Sequence, residues 1–106
     1  MNNAAVRHWH VTLTLSGTPV EPLILRGAIQ RLNAERPLLD SVVSNGEFVE
    51  IQFWDEGETM LDVASLAMRL WNEHRHSAKL PDWEIVGLEI VGKDLFDKRA
   101  ANGRRA

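Results

Sequence analysis

Two histidines separated by one residue, His8 and His10, are the first groups in this sequence that could do chemistry. Side chains two residues apart on a β-strand project from one face about 7 Å apart, so both imidazoles could bind one ion. A metal site needs a third ligand, and Glu50 and Glu89 are the carboxylates that the predicted sheet places beside these histidines. Such a set suits zinc or iron. The alternative is that both histidines are ordinary surface residues and that the protein has no cofactor.

A second pair of histidines, His74 and His76, lies at the end of a predicted helix. The predicted topology separates this pair from the first pair by nearly the length of a strand. The four imidazoles therefore cannot share an ion within one chain. With Arg75 and Lys79, the second pair is predicted to complement the negative C-terminal end of its helix.

Other catalytic groups are scarce. The chain has no cysteine and no tyrosine, which removes thiolate nucleophiles, thiolate metal sites, disulfides and a frequent proton donor. Its serines lack the sequence context of a nucleophile elbow. The acidic group Asp55, Glu56 and Glu58 precedes a predicted helix, where carboxylates stabilise the positive end of the helix dipole. These residue types therefore predict no catalytic residues.

The first predicted strand carries His8 and His10. Residues 7–15 alternate between apolar and polar types, which predicts a half-buried strand. Its apolar side comprises Trp9, Val11, Leu13 and Leu15. A helical pattern follows and must end before Pro37, which cannot continue a helix.

Two further strands are predicted to form a β-hairpin around Asn45-Gly46, the pair best suited to a type I′ turn. Counting outward from this turn places Val42 opposite Val49. A second helix is predicted to begin at Thr59, with Asp62 three residues later as a variant capping box. A fourth strand is predicted over residues 83–91, with Val86, Leu88 and Ile90 facing the core.

The predicted order is βαββαβ, and over residues 7–91 this pattern resembles the ferredoxin-like, or split βαβ, superfold. The resemblance implies an α+β sandwich with a four-stranded antiparallel sheet in the order 4-1-3-2. Right-handed crossovers would place both helices on one face of that sheet. The resemblance implies no activity, because this superfold carries many unrelated functions.

The sheet face that two helices would leave open mixes aromatic and polar side chains. Its predicted members are His8, His10, Thr12, Val43, Phe48, Glu50, Gln52, Trp54, Trp83, Ile85 and Glu89. Exposed apolar patches of this kind mark partner or ligand surfaces, so self-association as a homodimer is the first hypothesis. The alternative is that terminal segments of the chain cover the large aromatic side chains.

Length and charge limit the remaining classes. The 106 residues suit one domain over 7–92, with a flexible N-terminus over 1–6 and a basic, mobile tail over 93–106. The net charge of -3 leaves an acidic body, which argues against nucleic acid as a partner. No apolar run is long enough for a membrane helix, and the lack of cysteine is compatible with a cytoplasmic protein.

The functional prediction is a non-catalytic association or small-ligand-binding module that works through the open sheet face. The alternative is a small dimeric enzyme with a cavity or metal site at this face, using His8 or His10 as acid, base or metal ligand.

Overall fold

The protein is a single antiparallel sheet with helices on both of its faces. A computed structural model describes residues 6–37, 39–44 and 47–102, and for residues 39–44 it describes the backbone alone. The elements are β1 (Arg7–Ser16), α1 (Pro22–Glu35), β2 (Leu39–Ser44), β3 (Phe48–Gly57), α2 (Met60–His74), β4 (Glu84–Gly92) and α3 (Lys93–Ala101). The strand order across the sheet is β2-β3-β1-β4.

The prediction of a ferredoxin-like sandwich with two helices is wrong, because the chain has a third helix. This helix, α3, occupies the first nine residues of the predicted tail. Its Phe96 packs against His10 and Trp54, whose side chains point away from α1 and α2. The order is therefore βαββαβα, and the face predicted to be open is partly covered.

The core lies between the other face of the sheet and the helices α1 and α2. The predicted inward side of β1 is confirmed, since Trp9 is 7% exposed and Val11, Leu13 and Leu15 are fully buried. Buried partners come from β3, α1 and α2: Val49, Ile51, Phe53, Leu25, Ala28, Leu32, Val63, Ala67, Leu70 and Trp71. The predicted cap of α2 is also confirmed, because Thr59 Oγ1 accepts a hydrogen bond from the Asp62 N–H at 3.1 Å.

A β-bulge changes which side chains of β4 face the core. Val11 lies opposite Ile90 and Leu13 opposite Leu88, as inward neighbours should. Between Thr14 and Leu15 the register shifts, so that Leu15 lies opposite Ile85. Ile85 therefore packs against the core instead of lying on the open face, and Val86, predicted to face the core, is 60% exposed.

The β2–β3 pairing differs from the predicted register by two residues. Val42 lies opposite Ile51, where the sequence predicted Val49. A two-residue shift keeps each side chain on its predicted face, because side chains alternate with period two. The predicted turn at Asn45-Gly46 and the predicted flexible residues 1–5 and 103–106 lie outside the described residues.

Trp83 also belongs to the core and not to the open face. Its side chain is 3% exposed, and its indole Nε1 donates a hydrogen bond to the Thr18 carbonyl at 2.8 Å. The ring lies against Gly17, where a Cβ atom would overlap Cδ1 of the indole and lie 3.0 Å from Cγ. Gly17 is thus required for close approach between the β1–α1 loop and Trp83.

Replacing this glycine should therefore destabilise the protein. We expect Gly17→Ala to cost about 1–3 kcal/mol in the free energy of unfolding, because the added methyl group must displace a buried indole. Urea titration followed by circular dichroism measures this change. The matched control is Gly27→Ala inside α1, where the nearest atom to the added Cβ is Nη1 of Arg31 at 3.3 Å. Because this contact is longer than that at Gly17 and alanine favours the helix, Gly27→Ala should cost clearly less than Gly17→Ala. Equal midpoints for Gly17→Ala and wild type would contradict the close approach.

The ends of α1 and α2 are joined through Glu35. Its Oε1 accepts a hydrogen bond from Ser77 Oγ at 2.7 Å and lies 2.5 Å from His74 Nδ1. The bonds from Ser77 and His74, with the charge of His74, lower the pKa of the Glu35 carboxyl. His74, which was predicted to complement the C-terminal end of α2, lies in the last turn of that helix and also bonds to Glu35 of α1.

This lowered pKa predicts acid sensitivity. A carboxyl whose pKa is lower in the folded than in the unfolded chain stabilises the fold above its ordinary pKa, and this stabilisation is lost as the pH falls through the folded pKa. Glu35→Gln should therefore destabilise the protein at about pH 7, and the difference from wild type should shrink towards about pH 3. Urea titrations at both pH values test this. Glu21→Gln, outside these hydrogen bonds, is the control, and a Glu35→Gln effect that is the same at both pH values would contradict it.

Candidate functional site

An aromatic cluster fixes α3 to the outer sheet face, defined as the face opposite α1 and α2. The ring centroids of His10 and Phe96 lie 4.5 Å apart, and those of Trp54 and Phe96 lie 4.9 Å apart. His10 and Trp54 are direct cross-strand neighbours on β1 and β3, with ring centroids 5.0 Å apart. Phe96 therefore packs on a preformed aromatic pair, which leaves His10 only 6% exposed.

Charges arranged along α3 support this short helix. Asp94 lies in its first turn and Lys98 and Arg99 in its last, which matches both ends of the helix dipole. Lys93 Nζ donates a hydrogen bond to Asp97 Oδ2 at 2.5 Å, and this bond raises the pKa of the Lys93 ammonium group. Sequence periodicity missed α3 because Phe96 alone anchors it, whereas apolar patterns need several residues on one side.

A polar cleft of about 220 Å³ lies between α3 and the outer sheet face. Phe96 and the small Ala100 contribute its helix side. The polar side chains that line it are His10, Thr12, Glu50, Gln52, Glu89 and Arg99. Three strands, β1, β3 and β4, therefore contribute polar groups to one partly open cleft.

Two carboxylates flank the cleft from opposite sides of β1. Glu50 on β3 lies opposite Thr14, and Glu89 on β4 lies opposite Thr12. Because β3 and β4 are both neighbours of β1, their backbones lie about 10 Å apart. The two positions are also offset by two residues along β1, so the Cα atoms of Glu50 and Glu89 lie about 12 Å apart, a separation that side chains turned toward each other can bridge through one small cationic group.

Each of these carboxylates has one polar side chain beside it, Gln52 for Glu50 and Arg99 for Glu89. Gln52 Nε2 donates a long hydrogen bond to Glu50 Oε1 at 3.4 Å. Arg99 Nη1 of α3 lies 3.7 Å from Glu89 Oε2, and both side chains keep about half of their surface exposed. This pair is weak and solvent-screened, so Glu89 can exchange it for a ligand at small cost.

The predicted metal ligands do not form one set. His8 Nε2 lies 3.1 Å from Glu56 Oε2, its direct cross-strand neighbour, and its side chain is 54% exposed. His10 lies in the aromatic cluster and lines the cleft together with Glu50 and Glu89, away from the His8–Glu56 pair. Within the described residues, no group of three or more His, Cys, Asp or Glu side chains is placed to hold a metal ion.

The remaining members of the predicted open face divide into two groups. Thr12, Gln52 and Trp54 are half-buried on the outer face near α3, and Phe48 lies on the same face opposite Ser16. Trp83 and Ile85 belong to the core, as described above, and the side chain of Val43 lies outside the described part of the chain. Phe96 and Arg99 were not predicted to belong to the site. Their spacing of three residues, which places both on one side of a helix, is the signal that could have indicated them.

Fold and site together define a small α+β domain with a polar cleft between an antiparallel sheet and a C-terminal helix. The chain belongs to the DUF8830 family, described as a domain of unknown function, whose family model matches residues 8–106. No curated protein and no solved structure matches the chain. Among the described residues, no helix combines the length and apolar character needed to cross a membrane.

The aromatic cluster predicts how firmly α3 is held. Phe96→Ala should reduce the free energy of unfolding by about 1–2 kcal/mol, because it removes a half-buried ring from two aromatic neighbours. Leu95, the neighbouring residue, is 48% exposed, so Leu95→Ala should reduce the free energy of unfolding clearly less. Urea titration compares the two variants. A larger loss for Leu95→Ala would mean that Phe96 is not the anchor of α3.

Proposed function

We propose that this protein is a non-catalytic module that binds a small amine in the cleft between α3 and the outer sheet face. The observation that carries the proposal is the placement of Glu50 and Glu89, on the two strands that flank β1, in the lining of one polar cleft of about 220 Å³. A single guanidinium, that of Arg99, lines the cleft together with these two carboxylates, and it lies 3.7 Å from Glu89 Oε2. The cleft therefore favours a cation.

The size of the cleft limits the ligand. Sites for drug-sized molecules occupy about 300–1,000 Å³, so this cleft suits a compound of only a few non-hydrogen atoms. The hydroxyl of Thr12 and the amide of Gln52 add hydrogen-bonding groups that can orient an ammonium or a hydroxyl. The ring of Phe96 closes one side of the cleft and can also contact a cation.

The placement of the histidines supports binding in preference to acid–base catalysis. An acid or base must reach the reacting atom with a ring nitrogen. His10 lines the cleft but is only 6% exposed and is packed against the rings of Trp54 and Phe96, and His8 is engaged with Glu56. The alternative predicted from the sequence, a small dimeric enzyme, would need His8 or His10 as its acid, base or metal ligand.

Thermal unfolding with 1,4-diaminobutane and with ethanolamine as probes tests the proposal. A ligand present at ten times its Kd adds about 1.4 kcal/mol of stability, because it binds the folded chain alone. For a domain of this size that corresponds to a rise in Tm of about 6 °C or more. Acetate, which carries the opposite charge, should give no rise.

The variants that test the site are Glu50→Gln and Glu89→Gln, combined in one chain. We expect this double variant to fold and to lose the amine-dependent rise in Tm. Glu84 lies on β4, as Glu89 does, but it is exposed and outside the cleft. Glu84→Gln should therefore keep the amine-dependent rise in Tm. The proposal fails if neither amine raises Tm in the wild-type protein, or if the double variant responds as the wild type does.

A further inference from the structure

The two carboxylates of the cleft have different neighbours. Glu50 is half-buried, and its Oε1 accepts a hydrogen bond from the neutral amide of Gln52. The side chain of Glu89 is 63% exposed, and its Oε2 lies 3.7 Å from the guanidinium Nη1 of Arg99. On the β3 side of the cleft a carboxylate therefore lies beside a neutral group, and on the β4 side a carboxylate lies beside a cation.

The position of Arg99 follows from the way α3 packs. Phe96 fixes one side of this helix to the outer sheet face, and Arg99 lies three residues later on the same side. Lys98 and Arg99 both occupy the last turn, where a cation complements the helix dipole. Of these two residues, Arg99 lines the cleft and Lys98 does not. The helix dipole accounts for both cations, but it does not account for the cation that faces the cleft.

The guanidinium changes the charge that a ligand meets. Glu50 and Glu89 carry two negative charges, and the guanidinium of Arg99 compensates one of them. A compact ligand with one ammonium group balances the charge that is left. A second ammonium group would have to lie near Arg99 or displace it from Glu89, and like charges at such distances repel each other.

We propose that Arg99 selects the charge of the ligand, so that the cleft takes an amino alcohol in preference to a diamine. The selection rests on the proposed function, since it adds the class of amine to the same cleft. The ammonium group of the ligand lies beside Glu50. Its hydroxyl end lies beside the pair of Glu89 and Arg99.

Burial decides which carboxylate holds the ammonium group. Opposite charges attract each other more strongly where less water screens them, so the half-buried Glu50 is the stronger site. Glu89 is more exposed and already has a cation beside it. The ammonium group of a monoamine therefore gains more at Glu50 than at Glu89.

Hydrogen-bonding capacity decides what suits the other end of the ligand. A hydroxyl both donates and accepts hydrogen bonds, so it can donate to Glu89 and accept from Arg99 without separating them. An ammonium group has donors alone and offers the guanidinium no acceptor. The pair of Glu89 and Arg99 is thus complementary to a hydroxyl and unfavourable to a second ammonium group.

Two probes of equal chain length test this selection. The compounds 4-aminobutan-1-ol and 1,4-diaminobutane differ only at one end, which carries a hydroxyl in the first and an ammonium group in the second. Titrations of the full chain followed by NMR give the Kd of each compound, including Kd values in the millimolar range. In the wild-type protein we expect the amino alcohol to bind more tightly than the diamine.

Arg99→Gln removes the charge and keeps a long polar side chain. The diamine should bind this variant about tenfold more tightly than it binds the wild type, because one repulsion disappears and Glu89 becomes available as a second partner. The affinity of the amino alcohol should change by about twofold or less, because its ammonium group lies at the other carboxylate. The order of the two affinities should therefore reverse.

Two further variants control for charge and for shape. Lys98→Gln removes an equal charge from the same turn of α3 and should keep the wild-type order, since Lys98 lies outside the cleft. Arg99→Lys keeps the charge and should also retain the preference for the amino alcohol. Salt at about 1 M, where the Debye length is about 3 Å, should reduce the effect of Arg99→Gln.

The outcomes distinguish a failure of this selection from a failure of the proposed function. If neither compound binds to the wild type or to Arg99→Gln, the cleft does not bind amines, and both proposals fail. If both compounds bind but Arg99→Gln leaves their order unchanged, or the wild type already prefers the diamine, Arg99 does not select the ligand. A reversal in Lys98→Gln as well would also overturn its role, because the preference would then reflect the overall charge of the protein.

Discussion

The alternation of side chains along β1 is the constraint on which the rest of the structure depends. This strand lies between β3 and β4, and each of its residues is committed either to the core or to the outer face. Because Val11 and Leu13 are buried against the helices, His10 and Thr12 must point the other way. The core and the candidate site are therefore two consequences of one period-two pattern, and a shift of one residue would exchange them.

The parts of the fold that the sequence predicted well are those where local and long-range requirements agree. β1 alternates cleanly, and the hydroxyl of Thr59 caps α2 as its spacing to Asp62 indicates. The failures lie where a single tertiary contact decides. One bulge in β4 moves Ile85 into the core and Val86 out of it, and sequence alternation alone cannot place a bulge.

The same distinction explains how much of the candidate site could be predicted from the sequence. Thr12, Glu50, Gln52 and Glu89 follow from strand order and alternation, so they were predicted on one face. The covering of this face by α3 was not predicted, because α3 is held by one aromatic side chain and by charges that resemble those of a solvated tail. Trp83 was misplaced for a related reason, since its burial depends on Gly17 and the Thr18 carbonyl far away in the chain.

The four tryptophans give the molecule an optical probe of its own. Trp9, Trp71 and Trp83 are each at most 7% exposed, so their emission should respond chiefly to global unfolding. Trp54 alone is half-buried on the outer face and touches the ring of Phe96. A change in Trp54 emission while the emission of the other three tryptophans stays constant would report movement of the C-terminal helix without any added dye.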